Sequence, residues 1–268
     1  MSSTDRAISS RHNVWVKTIR TALRAGTLTP QGLLPIEGPR LLMEAFKSTA
    51  AVETVFISNP QVLNRDLERW INDRRIQTFH LSTEVLAFMA DTESPAGLMA
   101  LVKPPCWNLD ETLKTDAALF LLLIQLQDPG NMGTILRSAE AFGVSGVIST
   151  PGTVNAFNPK SVRASAGSIF RVPLFQNVPA QEALSKFKTA GIQTVATSLK
   201  ARNGPDTKAL RLPMALLVGQ EAGGIPSDVL SKSGAQIRIP MADPVQSLNA
   251  AIATAILLYE IRRHEKTV

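Results

Sequence analysis

Residues Leu119–Leu126 (LFLLLIQL) set the strongest limit on what this chain can fold into. An almost continuously apolar run of that length is expected for a strand covered on both faces, as strands of a parallel sheet are between helices. Helical and strand patterns alternate after it. Helix Met132–Phe142, strand Val144–Ser149, a helical stretch near Lys160–Ala166 and strand Ile169–Leu174 come first. Helix Ala180–Ala190, strands Ile192–Ser198, Met214–Gly219 and Gln236–Ile239, and a closing helix from Val245 to about Arg263 follow. That order predicts an α/β domain on a parallel sheet.

The upstream part alternates too. Val14–Leu23 has helix spacing, Leu33–Glu37 reads as a short strand that Pro35 confines to an edge, and Pro39 opens a helix through Phe46. Val52–Ser58, Ile76–His80 and Leu98–Val102 read as strands, and Pro60–Asn72 and Ser82–Met89 as helices. Between the two parts, the segment from Lys103 to Glu111 contains prolines and has no period, so a linker is expected over about residues 104–116.

Composition narrows the function. Lys and Arg number 28 against 22 acids, a net charge of +6, which points toward a polyanionic partner. The single cysteine, Cys106, excludes a disulfide framework and a multi-cysteine zinc site. His12, His80 and His264 form no metal-ligand spacing, so no metal is expected. The start of the chain, MSSTDRAISSRH, has no apolar core of a signal peptide, and the longest apolar run, Ala117–Ile124, is too short to span a bilayer. A cytoplasmic protein without a membrane partner is the expectation.

In open parallel sheets ligands bind outside the carboxyl ends of the strands. Three strand-exit loops here combine small residues with polar groups. The first, Gln127–Arg137, offers Asn131 at an expected N-cap and Arg137 in the helix that follows. The second, Val218–Pro226, carries Glu221 in a glycine-rich turn that is neither a dinucleotide fingerprint nor a P-loop. The third, Ile239–Asn249, holds Ser247 and Asn249 at the expected start of the last helix.

Taken together, Asn131–Gly143 (NxGxxxRxAxAFG), Gly219–Ile225 (GxExxGI) and Ile239–Glu260 (IPM…SLNxAxAxAILLYE) resemble the three signature motifs of the SpoU/TrmH-type RNA ribose 2′-O-methyltransferases of the SPOUT superfamily. Lys160–Pro173 fits the segment between the first two motifs. Val16-Lys17…Arg20 and Glu37-Gly38-Pro39-Arg40 are similar to that family's L30e-like substrate-binding domain. The resemblance covers roughly residues 11–264. It implies an L30e-like α/β domain over 11–103, a linker over 104–116, and over 117–264 an α/β SPOUT domain with a mostly parallel sheet and a trefoil knot. It implies S-adenosyl-L-methionine as cofactor, with Thr197, Gly219, Ile239 and Leu248 as contacts, and a homodimer formed through the C-terminal domain. The last helix, apolar nearly all round, agrees with burial on several sides.

The implied reaction is methyl transfer to a ribose 2′-oxygen of RNA, of the 23S ribosomal type, with transfer RNA as the alternative substrate. A noncatalytic RNA-binding or ribosome-assembly factor is the alternative from another class. Asn131, Arg137, Glu221, Ser247 and Asn249 carry over as the catalytic set. Because arginine stays protonated in proteins, Arg137 is expected to hold a phosphate or the 2′-oxygen electrostatically, leaving the proton to another group or water. Asn131 would orient Arg137 or the ribose. Glu221 would fix donors in the cleft, while Ser247 and Asn249 position the substrate. The chain departs from the family pattern at Gln220-Glu221-Ala222-Gly223, where Asn-Glu-Gly-Arg is common, and at Ala242-Asp243-Pro244, where a glycine is common. Cys106 follows a proline but lies in the linker, away from the three loops.

For RNA contact, the stretch Ala141–Gln181 contains no acid but includes Lys160, Arg163 and Arg171. Lys17 and Arg40 are expected to contribute from the first domain. Aromatics at 5% argue against a base-stacking platform and for recognition of folded RNA by shape and backbone. DNA is not expected as a partner.

Overall fold

The structure is a computed structural model and describes residues 6–205, 210–220 and 223–265. Contacts divide the chain into two compact units, Met1–Pro105 with Phe157–Arg171, and Cys106–Ala156 with Val172–Val268. The first unit contains β1 (Arg6–Ile8), α1 (Val14–Ala25), β2 (Leu34–Glu37), α2 (Pro39–Phe46), β3 (Ala51–Ile57), α3 (Arg65–Asp73), β4 (Gln77–Leu81), α4 (Thr83–Met89) and β5 (Leu98–Lys103). The second opens with α5 (Leu109–Thr112), inside the expected linker, then β6 (Leu119–Leu123), α6 (Pro129–Ala141) and β7 (Gly146–Ser149). α7 (Pro159–Ala164) belongs to the first unit. β8 (Leu174–Phe175), α8 (Ala180–Thr189), β9 (Gln193–Thr197), β10 (Met214–Val218), α9 (Ser227–Leu230), β11 (Ala235–Ile237) and α10 (Ala250–Glu265) complete the second.

All five residues of β6 are fully buried, which is why this segment lies inside a sheet. Each such leucine contributes about 1.5–3 kcal/mol relative to an exposed one. β6 pairs in parallel with β7 and β10, in a six-stranded sheet of order β11-β9-β10-β6-β7-β8 whose pairings are all parallel. Phe120, Leu122, Ile148, Phe187 and Leu217 form part of the core on one face. The strand ends at Leu123, before the expected Leu126, because the chain turns at Gln125, where φ is 54°. The Gln125 N–H there donates to Thr150 Oγ1 at 3.2 Å.

Four local expectations are corrected. α6 begins at Pro129, capped by Asp128, whose carboxylate accepts the Asn131 N–H at 2.8 Å. Asn131 therefore lies inside the first turn instead of at the N-cap. The expected strand Ile169–Leu174 is a 3-10 turn over Ser168–Phe170 followed by the two-residue β8. The expected helix Pro60–Asn72 is broken because two asparagines each cap a start. Asn59 caps a 3-10 turn at Pro60–Val62, and Asn64 caps α3 by accepting from Leu67 N–H at 2.9 Å. The last helix starts at Ala250, not Val245. Asn249 accepts the N–H groups of Ala251 and Ile252 at 2.9 and 3.2 Å, so the residues before it stay irregular.

In the first unit, β1-β4-β3-β5-β2 form a mixed sheet, with β4 parallel to β1 and β3, and β5 antiparallel to β3 and β2. Asn13 caps α1 by accepting Trp15 N–H at 2.8 Å, and Gly26 ends it in the left-handed region at φ 65°. Val16, Ile19, Ala22 and Leu23 are the buried face of α1. Val16, Ile19 and Leu23 join Phe56, Phe79 and Met89 in the core. The segment carrying α7 is held in this unit by Arg163 to Asp91 at 2.7 Å and Arg171 to Glu44 at 2.9 Å. Gly167, at φ 97°, lies so close to Glu44 that a Cβ would come within 2.5 Å of the Glu44 Cβ.

Candidate active site

α10 packs on α6, and the two run side by side in the same direction. Near their N-termini, Asn249 Nδ2 donates to Asn131 Oδ1 at 2.8 Å. Near their C-termini, Arg262 donates from Nε to the Phe142 carbonyl and from Nη2 to the Gly143 carbonyl, each at 2.6 Å. These are carbonyls that the end of α6 leaves without helical partners, and a guanidinium also complements the negative end of the helix dipole. Asn249 thus serves twice, as cap of α10 through its oxygen and as a link to α6 through its nitrogen.

β11 is an edge strand, whereas α10 lies on α6. Residues 238–249 therefore run back past the ends of β9 and β10. They share with those ends a cleft of about 520 Å³. That volume is within the usual range for small-molecule sites. Its walls come from three places: Thr197, Ser198, Leu199 and Lys200 at the end of β9, Gly219, Gln220 and Gly223 to Ser227 after β10, and Ile239, Met241, Ser247 and Leu248 from the returning segment. Thr254 and Leu257 of α10 close the back. The four expected cofactor contacts, Thr197, Gly219, Ile239 and Leu248, all line this cleft, as does Ser247. The Thr197 hydroxyl donates to the Leu217 carbonyl at 3.1 Å, so the sheet already uses its proton.

The wall after β10 includes three glycines, Gly219, Gly223 and Gly224. Gln220 and Gly224 form a bridge, and the Gly224 N–H donates to the Gln220 carbonyl at 3.0 Å. Gly224 has φ 64°. A Cβ on Gly219 would lie 2.3 Å from the Gly224 carbonyl carbon and 2.6 Å from the Ile225 nitrogen. Only glycine lets the chain close back on itself there. Among the described residues the lining contains no carboxylate but includes Lys200 and Arg238. Leu199, at 61% exposure, forms an apolar lip.

The remaining expected residues are placed elsewhere. Glu221 lies outside the described residues. Arg137 is exposed on α6, is not part of the cleft lining, and among the described residues has no hydrogen bond or ion pair. Lys17 is exposed on α1, Arg40 on α2 and Lys160 on α7. Arg163 and Arg171 are occupied by Asp91 and Glu44. Sequence reasoning did not single out Ser198, Leu199, Lys200 or Arg238. The signal for the first three was their place directly after a strand of the same parallel sheet, a fourth exit loop without the glycines that marked the others.

Residues 118–259 match the SpoU rRNA Methylase family and residues 16–100 match the MRM3-like substrate binding domain. The chain is 36% identical over 97% of its length to an uncharacterized tRNA/rRNA methyltransferase of Synechocystis sp., covering 94% of that protein. It is 32% identical over 96% of its length to the 23S rRNA (guanosine(2553)-2′-O)-methyltransferase of Bacillus subtilis, covering 99% of it. Among solved structures, an AdoMet-bound rRNA methyltransferase from Sinorhizobium meliloti superposes with a TM-score of 0.86 at 29% identity, with 98% of this chain and 99% of that one covered. The strand-exit cleft lies in the matched segment, on a parallel sheet of the kind its relatives share: this chain belongs to the SpoU rRNA methylase family, a branch of the SPOUT methyltransferases.

Proposed function

We propose that this protein transfers the methyl group of S-adenosyl-L-methionine to a ribose 2′-oxygen of ribosomal RNA. The observation that carries the reading is the cleft at the ends of β9 and β10, walled in part by glycines and by the returning segment, inside the segment that matches the family. Its features fit the cofactor. Gly219, Gly223 and Gly224 present main-chain groups without side chains, and at Gly219 no side chain fits; Ile239, Leu248 and Leu257 provide apolar surface for a purine, and Lys200 and Arg238 offer cations for a carboxylate. When bound, the cofactor supplies an electrophilic methyl on a sulfonium.

The chain itself must position the acceptor oxygen in line with that methyl and stabilise the charge developing on it. Arg137 is assigned to this second task, holding the oxygen or an adjacent phosphate. The Asn131–Asn249 bond fixes the start of α6, the helix that carries Arg137, against the start of α10, so the segment bearing Ser247 and Leu248 is anchored at that point. We also infer that two copies pair through α10. Ile252, Ile256 and Tyr259 lie on one of its faces and are 54%, 36% and 55% exposed in the single chain. An apolar stripe of this kind normally marks an interface.

Arg137→Ala separates binding from chemistry. Calorimetric titration should give nearly unchanged affinity for S-adenosyl-L-methionine, while methyl incorporation into ribosomal RNA falls to background. Wild-type turnover in this variant removes Arg137 from the mechanism.

A further inference from the structure

We propose that a groove beside α1 in the first unit is the RNA backbone grip of this protein, built from Arg11, Lys17, Arg20 and Arg24 around Phe88. The inference rests on the reading of the chain as an RNA-modifying enzyme and extends the Lys17 contact expected from the sequence to a grouped set of cations around Phe88. α1 buries Val16, Ile19, Ala22 and Leu23, and on its other side Lys17, Arg20 and Arg24 recur at spacings of three and four, so they form one stripe. Arg11 joins them from the turn before the helix. These side chains, with His12, surround a cavity of about 490 Å³.

Two guanidinium groups meet one aromatic ring there. Arg20 lies 3.6 Å and Arg11 5.2 Å from the centroid of Phe88, which projects from α4. Stacking on a ring holds a guanidinium flat and leaves its edge donors directed outward. None of the four charged side chains has an ion-pair partner or hydrogen bond among the described residues. Partial burial and the neighbouring charges of Arg24 and Arg11 push the Arg20 guanidinium below its ordinary value, the direction expected where like charges crowd without a counter-ion. Such a cluster is unfavourable by itself and becomes favourable against a chain of phosphates.

The cations of the acid-free stretch differ in this respect. Arg163 is ion-paired to Asp91 and Arg171 to Glu44, so both are neutralised within the unit. In the groove beside α1, by contrast, four cations without ion-pair partners among the described residues converge on one cavity. Its ligand is a phosphodiester backbone, contacted without reading base sequence.

The test is binding of the full-length protein to deproteinised ribosomal RNA across a salt series. The combined variant Arg11→Gln/Arg20→Gln/Arg24→Gln should weaken binding at least about tenfold and lower the slope of log affinity against log salt by about 2–3. Arg11→Gln/Arg24→Gln, which leaves the Arg20–Phe88 stack in place, should lower the slope by about 1–2. A control, Arg65→Gln/Arg75→Gln, removes two exposed cations elsewhere in the unit and should leave the slope unchanged. Affinity for S-adenosyl-L-methionine should match wild type in all of them. Unchanged RNA binding in the groove variants, or an equal loss in the control, overturns the proposal. So does loss of polyglutamate binding with RNA binding intact, which would assign the groove to an acidic protein. Because the readout is binding, wild type that grips RNA here but transfers no methyl fails the methyltransferase reading alone. Wild type that methylates, with groove variants that bind normally, fails this one alone.

Discussion

At the residue scale the cleft depends on Gly219. The requirement there is space, not an unusual dihedral angle: a methyl group would meet the Gly224 carbonyl carbon at 2.3 Å, and backbone cannot yield as a flexible side chain does. Gly219→Ala must open the turn that bridges Gln220 and Gly224. The expected result is a loss of at least about tenfold in cofactor affinity, or about 1.4 kcal/mol, by calorimetry, with the protein still folded by circular dichroism. Unchanged affinity would mean that this turn does not hold the cofactor. Asn131 shows where residue-level reading from sequence stops. Asp128 and Asn131 are both good caps three residues apart, and only the structure shows which one the helix uses. The asparagine set free by that choice accepts from Asn249, a contact across 118 residues that local pattern does not encode.

At the element scale, β6 and β10 were legible because a strand buried on both faces must be apolar throughout, and few other structures tolerate such a run at that length. β1 and β8 were not. Three and two residues respectively carry no period, and their pairing is decided by neighbours distant in sequence. The last helix was legible in its apolar character and not in its start, since Asn249 delays it by the length of the cleft-lining segment. Its outward stripe bears on assembly. Ile256→Asp puts a charge in the middle of Ile252, Ile256 and Tyr259 while leaving the buried residues Leu257, Leu258 and Ile261 untouched. Light scattering coupled to size exclusion should give a dimer for wild type and a monomer for the variant. A monomeric wild type, or a variant that stays dimeric, removes this face as the interface.

For the whole molecule, the alternation of helix and strand in both halves, and the order of three motifs, were enough to read the architecture and the family from sequence. The sharing of residues between units was not legible. Phe157–Arg171 lies within the span matched by the methylase family, yet its contacts place it with the first unit, where Asp91 and Glu44 hold it. An acid-free basic stretch read as a phosphate surface thus turned out to have its counter-charges supplied from more than 70 residues upstream. The central chemical point is that the accepting atom is the ribose 2′-oxygen. Alkaline cleavage of RNA requires that oxygen as nucleophile, so its methylation leaves a resistant linkage. The deciding measurement is to incubate the protein with methyl-labelled S-adenosyl-L-methionine and ribosomal RNA lacking the modification, then hydrolyse in alkali. Ribose methylation puts the label in an alkali-resistant dinucleotide at one site; label in mononucleotides, marking a methylated base, or no label at all rules it out.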